Sequence, residues 1–335
     1  MTALLPQPEL IDLHPAPADM ARLVREGLQR QPRQLPAWFL YDEEGSRLFD
    51  AICRQPEYTL TVTETALLEA WAPAIARAMG SGVLVEFGAG SARKVSPLLN
   101  ALAQPAYVAL DISSTHLNQA CRDLVQRHPD VPVLGICCDY TSLQRLPDHP
   151  LLRDRPRLGF FPGSSLGNFT GPEAVGLLKQ FARLLGPGGQ LLIGIDQPKS
   201  VQRLEAAYND RAGLSAAFAL NLLHRLNRDL GGSFDPASFR YRASWQSEHQ
   251  RIEMALISDH DQWVNVAGCR WHFEAEEPLI TEHSVKYNAD AFLALASKAG
   301  WAPRHRWSDP AGDLSVHLLE QADLETTEAR IHGQG

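Results

Sequence analysis

The chain has 335 residues, 44% of them hydrophobic and 21% charged, with 31 Lys and Arg against 39 Asp and Glu for a formal net charge of −8. That length holds one large α/β domain, or such a domain with a smaller companion, and two lobes are expected; the acid excess, without any local Lys/Arg cluster, excludes a phosphate-backbone binder and points to a small-molecule substrate. Five scattered cysteines (Cys53, Cys121, Cys137, Cys138 and Cys269) with no C-x-x-C exclude a disulfide framework and a zinc site.

Residues 1–36 carry six prolines and a helical stretch over 18–29, with Met20, Leu23, Val24 and Leu28 at helical spacing. No basic-then-apolar leader and no apolar run of membrane-spanning length is evident, so a cytoplasmic protein is expected, with no membrane, nucleic-acid or metal partner and a monomer as the default state. Trp38-Phe39-Leu40-Tyr41-Asp42 leads into a short amphipathic segment at 48–53, which runs on to Pro56. Thr61-Val62-Thr63-Glu64 has capping-box spacing and predicts a helix through 66–78, where the main domain begins.

From Val83 the pattern alternates. Strands are expected at 83–87, 107–111, 131–137, 158–162 and 190–196, with helices from about Arg93, at 114–127 and at 172–185. This predicts an α/β, doubly wound, Rossmann-like parallel sheet with crossover helices on both faces. Between 198 and 287 the rhythm breaks into a long helical stretch at 201–230 and strand-like runs at 251–257, 263–273 and 280–285, a second, mixed α+β accessory lobe. A helix at 290–299 and strands at 302–308 and 314–319 return to the sheet, and 323–335 is a polar tail. The expected division is therefore a cofactor-binding domain over 62–198 and 288–322, and an accessory substrate-binding lobe over 1–61 and 199–287.

The first strand ends on Gly88-Ala89-Gly90-Ser91-Ala92-Arg93-Lys94, where Gly-x-Gly lets the backbone approach a nucleotide-type cofactor. A dinucleotide fingerprint wants a third small residue where Arg93 stands, which disfavours NAD. Glu86 at the strand end, followed by Gly88-Ala89-Gly90, resembles the first motif of class I S-adenosylmethionine-dependent methyltransferases. Asp111 ends the second strand, placed to accept both ribose hydroxyls; Asp139 and Tyr140 end the third, placed to meet the adenine amino group beside an aromatic face. Lys94 is a candidate partner for the cofactor carboxylate, or else a solvated lysine in a first helical turn. Each acid singly also reads as a turn or a cap; three at successive strand ends are harder to read that way.

Motifs outside the glycine loop carry a narrower resemblance. Trp38-Phe39-Leu40-Tyr41-Asp42, Gly45-Ser46-x-Leu48-Phe49-Asp50, Pro56-Glu57-Tyr58, Gly163-Ser164-Ser165-Leu166-Gly167-Asn168, Arg251-Ile252-Glu253-Met254 and Thr281-Glu282-His283-Ser284 together resemble the histidine-specific methyltransferase family. These are the L-histidine Nα-methyltransferases of ergothioneine biosynthesis, and the resemblance spans roughly 35–319. It implies S-adenosylmethionine as cofactor, a substrate pocket between the lobes, and trimethylation of the α-amino group of L-histidine to hercynine. It also implies that Tyr58, Asn168 and Tyr208 hold the α-carboxylate, that Tyr41 lies near the amino group, where Tyr41 or solvent takes the proton, and that Met254 and Phe218 wall the pocket. Thr59-Leu60 departs from the family pattern, in which some members carry a second aromatic and a proline.

A strand over 281–287 puts Glu282 and Ser284 on one face, where a carboxylate that accepts and a hydroxyl that donates match the two nitrogens of a neutral imidazole. The competing reading is a solvated strand face. Asn168, ahead of the capping-box spacing Thr170-Gly171-Pro172-Glu173, reads either as a turn residue or, after the fourth strand, as a ligand contact. Two other functions fit less of the chain: a methyltransferase of this family acting on another amino acid or an indolic amine, and a non-catalytic cofactor-binding regulatory module.

Overall fold

Burial on both faces explains why the strands of the alternating region read as near-continuous apolar runs. Within Val83–Phe87, Leu84 packs into one hydrophobic cluster with Leu67, Ile75, Leu117 and Leu124, whereas Val83, Val85 and Phe87 pack into another with Leu177, Phe181 and Phe292. Helices Leu60–Met79 and Ser114–Arg127 thus cover one face, and Gly171–Leu185 and Ala289–Lys298 the other. The structure is a computed structural model that describes residues 7–14 and 17–322. The polar tail expected over 323–335 lies outside the described residues.

The main sheet has eight strands in the order Glu9–Leu13, Val133–Cys138, Ala106–Asp111, Val83–Phe87, Arg157–Phe161, Gln190–Asp196, Leu314–Gln321 and Trp301–Ser308. The first six are parallel, Leu314–Gln321 pairs antiparallel with the sixth, and Trp301–Ser308 pairs antiparallel with Leu314–Gln321. The strand order reverses beside Val83–Phe87, so the carboxyl ends of that strand and its neighbours open the crevice in which α/β sheets bind ligands. The doubly wound sheet is as expected, and the two C-terminal strands extend it.

A second sheet, in the order Arg33–Gln34, Pro278–Val285, Arg251–Ser258 and Phe239–Gln246, stands with helices Glu43–Ile52, Val201–Tyr208 and Leu214–Leu230 above that crevice. Several expectations are corrected. Glu9–Leu13, assigned to the accessory lobe, pairs in parallel with Val133–Cys138 on the edge of the main sheet. It is five residues long and largely exposed, so no burial pattern marked it in the sequence. The 201–230 stretch breaks into two helices because Gly213 adopts φ +72° and the Asp210 carboxylate accepts from the Leu214 and Ser215 amides. The 263–273 run is a hairpin, Gln262–Val266 against Cys269–Phe273. Phe239–Gln246 is a further strand, in which Phe239, Tyr241, Ala243 and Trp245 alternate with polar residues. The helix expected near Arg93 begins at Ser96.

The capping-box reading of Thr61 and Glu64 also fails. The helix starts at Leu60, Thr59 is its N-cap without a side-chain bond, and Glu64 lies a full turn inside with no exposure. An acid on an apolar stripe with Leu60, Leu67 and Leu68 is there for another reason, given below. No helix among the described residues is long and apolar enough to cross a membrane.

Candidate active site

Gly88 and Gly90 adopt φ +73° and +52°, which side chains disfavour, and the Gly88 and Ala89 amides donate to Leu110 O at 2.8 and 3.0 Å. The loop is thereby folded over the end of the neighbouring strand. Asp111 holds it there: Oδ2 accepts from the Gly90 amide at 2.8 Å and Oδ1 from the Ser113 amide at 3.0 Å. Nothing lies within 4 Å of where a Cβ on Gly90 would point, so the backbone faces open space. That space is a cavity of about 510 Å³ lined by Glu86, Gly88, Gly90, Asp111, Asp139 and Tyr140, among others. Burial pushes the Glu86 carboxyl up to about 8, opposed by the Tyr107 hydroxyl, which donates to it at 2.6 Å. Tyr140 packs its ring edge-on to Phe87, its hydroxyl beside Gly88.

These residues fit S-adenosylmethionine. The bare glycine backbone gives close approach, and the Asp111 and Asp139 carboxylates can accept from hydroxyl and amino groups. Lys94 also lines the cavity, but its ammonium is already paired with Glu64 Oε2 at 2.7 Å. Burial opposes the Lys94 charge and Glu64 restores it. The same Glu64 carboxylate accepts from the Gly163 amide at 2.8 and 2.9 Å, and a Cβ on Gly194 would overlap it. Glu64 therefore ties the cofactor loop to the loop that follows the fourth strand. Its signal in the sequence was its place on the apolar face of a helix.

That following loop turns sharply at Gly163 and Ser164, with φ +81° and +55°, and Ser164 Oγ accepts from the Asp196 amide at 2.9 Å. The short 3-10 helix Ser165–Asn168 then brings Gly167 against the backbone of Val285 and Asn168 against Glu282, with Asn168 Nδ2 donating to Oε1 at 2.7 Å. A Cβ on Gly167 would lie 2.7 Å from Val285 O and 3.0 Å from Val285 N, both backbone atoms that cannot yield. Gly167→Ala is expected to cost about 1–3 kcal/mol of stability, read by chemical denaturation, and to move Asn168 off Glu282.

Glu282, Ser284 and Thr281 line a second, smaller cavity of about 50 Å³ with Tyr208, Met254 and Phe218. A register shift between Ile280 and Glu282 lets Thr281 join residues that strict alternation would oppose. Met254 stands opposite Glu282 on the adjacent strand. The residues expected at opposite ends of a substrate are interleaved: Asn168 bonds Glu282, and Tyr208 Oη lies 2.6 Å from Ser284 Oγ. Burial pushes the Glu282 carboxyl up to about 8, against hydrogen bonding from Tyr41, the charge of Lys286 and the Asn168 amide.

Tyr41 follows the 3-10 turn Ala37–Leu40, and Asp42 then caps helix Glu43–Ile52 while accepting from Asn221 Nδ2 at 2.7 Å. This fastens Tyr41 to the long helix Leu214–Leu230, with its ring edge-on to Phe218 at 5.2 Å. Burial, then the Glu282 charge, raises the Tyr41 phenol well above its ordinary value, and burial does the same for Tyr58. Tyr41 is thus a neutral hydroxyl and no base by itself. Tyr41, Phe49, Tyr58, Gly163, Ser165 and Asn168 border both cavities, so the small pocket adjoins the large one with these residues between them.

Sequence reasoning passed over Lys286, which the same two-residue period places on the face of Glu282 and Ser284. Its side chain is fully buried, with Nζ 2.7 Å from Asp196 Oδ2, 2.8 Å from Ser284 Oγ and 2.9 Å from Tyr208 Oη. Burial works against this charge, but Asp196 outweighs it and holds the ammonium above its ordinary range.

A family model described as histidine-specific methyltransferase, SAM-dependent, matches residues 20–321. A histidine N-alpha-methyltransferase of Mycolicibacterium smegmatis is 36% identical over 306 residues, covering 89% of this chain and 94% of that protein. Ergothioneine biosynthesis protein 1 of Neurospora crassa is 30% identical over 88% of this chain, which corresponds to 34% of that longer protein. The N-methyltransferase fsqC of Aspergillus fumigatus is 28% identical over 85% of this chain and 79% of its own length.

Proposed function

The chain belongs to the SAM-dependent, histidine-specific methyltransferase family, and we propose that it methylates the α-amino nitrogen of L-histidine three times to give hercynine, the first step of ergothioneine biosynthesis. The observation that carries this is the small pocket of Glu282, Ser284, Tyr208 and Asn168 adjoining the glycine-loop cavity, with Tyr41 and Tyr58 bordering both. In this reading residues 62–198 and 288–322 hold the cofactor and the accessory elements hold the substrate, with the N-terminal strand transferred to the first group.

S-adenosylmethionine, when bound, supplies an electrophilic methyl group on a sulfonium. Gly88, Gly90, Asp111, Asp139 and Tyr140 hold it in the large cavity, and the Lys94–Glu64 pair sets the loop beside it. Glu282 accepts the imidazole N–H and Ser284 donates to the bare ring nitrogen, while Tyr58, Asn168 and Tyr208 offer neutral donors to the α-carboxylate. The amine is thereby aimed across the shared wall, and alignment is the main contribution of the protein. Tyr41 accepts a hydrogen bond from the amine at Oη, and the proton leaves through it to solvent or to Glu282 in the ionised form that the bound ring N–H favours. Met254 and Phe218 keep water from the small pocket.

Mass spectrometry of purified protein with histidine and S-adenosylmethionine tests the activity: successive gains of one, two and three methyl groups are expected, and no methylated histidine would overturn it. Tyr41→Phe is expected to lower kcat roughly 100-fold with the KM for histidine nearly unchanged, measured by initial rates. Another amino acid or an indolic amine as substrate remains the alternative, since relatives such as fsqC are named only as N-methyltransferases. Competition by other amino acids in the same assay separates the two.

A further inference from the structure

Lys286 is a buried cation to which the mechanism above gives no part. Its three hydrogens are all committed, to Asp196 Oδ2, Ser284 Oγ and Tyr208 Oη. Asp196 in turn receives Lys199 Nζ on Oδ1 at 2.7 Å. Both hydroxyl oxygens facing the small pocket therefore already accept from a cation. They lie 2.6 Å apart and share one hydrogen, so one hydroxyl hydrogen is left for the cavity, and a ligand that parts the pair receives both. A ligand N–H brought to either oxygen would meet the ammonium behind it. At the other side of the pocket Glu282 offers an acceptor.

Resting on the assignment of this pocket to histidine, we propose that Lys286 is a positioning residue that fixes Ser284 and Tyr208 as donors. The pocket thereby selects a side chain that brings a lone pair to Ser284 and a hydrogen to Glu282. A neutral azole satisfies both. A hydrocarbon ring leaves both unmatched, and a cationic side chain meets the Lys286 charge.

Lys286→Met leaves the Asp196–Lys199 pair intact, so no buried carboxylate is orphaned. Calorimetry with the full chain and S-adenosylhomocysteine is expected to show histidine affinity falling roughly 10- to 100-fold, the loss of donors strengthened by charge, with S-adenosylhomocysteine affinity unchanged. Phenylalanine, which shares the α-carboxylate assigned to Tyr208 but has no ring nitrogen for Ser284, is expected to lose only the Tyr208 part in competition, so that the histidine-to-phenylalanine ratio falls. Lys286→Gln, which keeps two donors without charge, should recover part of the difference and serves if the methionine variant does not fold. Unchanged histidine affinity, or equal losses for histidine and phenylalanine, overturns the proposal. Wild-type protein that fails to bind histidine would instead count against the histidine assignment itself.

Discussion

Replacing Glu282 by alanine is expected to weaken histidine binding by about 100- to 1,000-fold, the range for removing one partner of a buried, charge-assisted contact. Two losses combine: the acceptor for the ring N–H disappears, and Asn168 Nδ2 is left without the oxygen it meets at 2.7 Å. The pH dependence distinguishes this from simple damage. With its carboxyl near 8, Glu282 is mostly protonated in the empty pocket at pH 7, and accepting a ring N–H favours the ionised form. Histidine affinity should therefore rise as pH approaches 8, with a proton released on binding, seen as a buffer-dependent heat in calorimetry. Glu282→Gln should remove that dependence.

Stability runs the other way. A carboxyl raised above its unfolded value of about 4.5 stabilises the folded state fully below that value, and the contribution is lost as pH rises through about 8. Glu86 has the same sign. Thermal midpoints of the ligand-free protein should fall between pH 5 and 8, less steeply in Glu282→Gln. An alanine variant with wild-type histidine affinity would remove Glu282 from the substrate site.

Asp111→Ala is expected to lower affinity for S-adenosylhomocysteine by roughly 100-fold or more, measured by direct titration. The carboxylate holds the Gly90 and Ser113 amides, so its loss leaves two donors to re-pair and releases the loop, at about 1–3 kcal/mol for each buried group left unmet. It also removes the acceptor assigned to the ribose hydroxyls. Asp111→Asn should fall between, because one amide oxygen can serve only one of the two backbone donors well. Unchanged cofactor affinity would show that the loop holds its shape without Asp111 and that the ribose is bound elsewhere.

Much of the fold was legible because its code is local. The apolar runs at 83–87 and 190–196 are buried on both faces, and the glycines at 88 and 90 take backbone angles that side chains resist. Glu282 and Ser284 share a face because a strand repeats every two residues. Features set by distant partners were not legible in that way. Thr61 to Glu64 has every local mark of a capping box, yet Glu64 is drawn into the interior by Lys94 and the Gly163 amide, and Glu9–Leu13 gains its place only from the strand beside it.

The sequence by itself determined the doubly wound sheet, the cofactor loop and the family, because periodicity, turn chemistry and motif spacing are properties of neighbouring residues. Only the tertiary structure decided how the site is wired. Asn168 meets Glu282, Tyr208 meets Ser284, and Lys286 lies behind both hydroxyls, across separations of 76 to 114 residues for the two side-chain pairs. The physical reason is that a buried charge or hydroxyl must find its partner wherever the packed chain brings one, and no local pattern records which segment that will be.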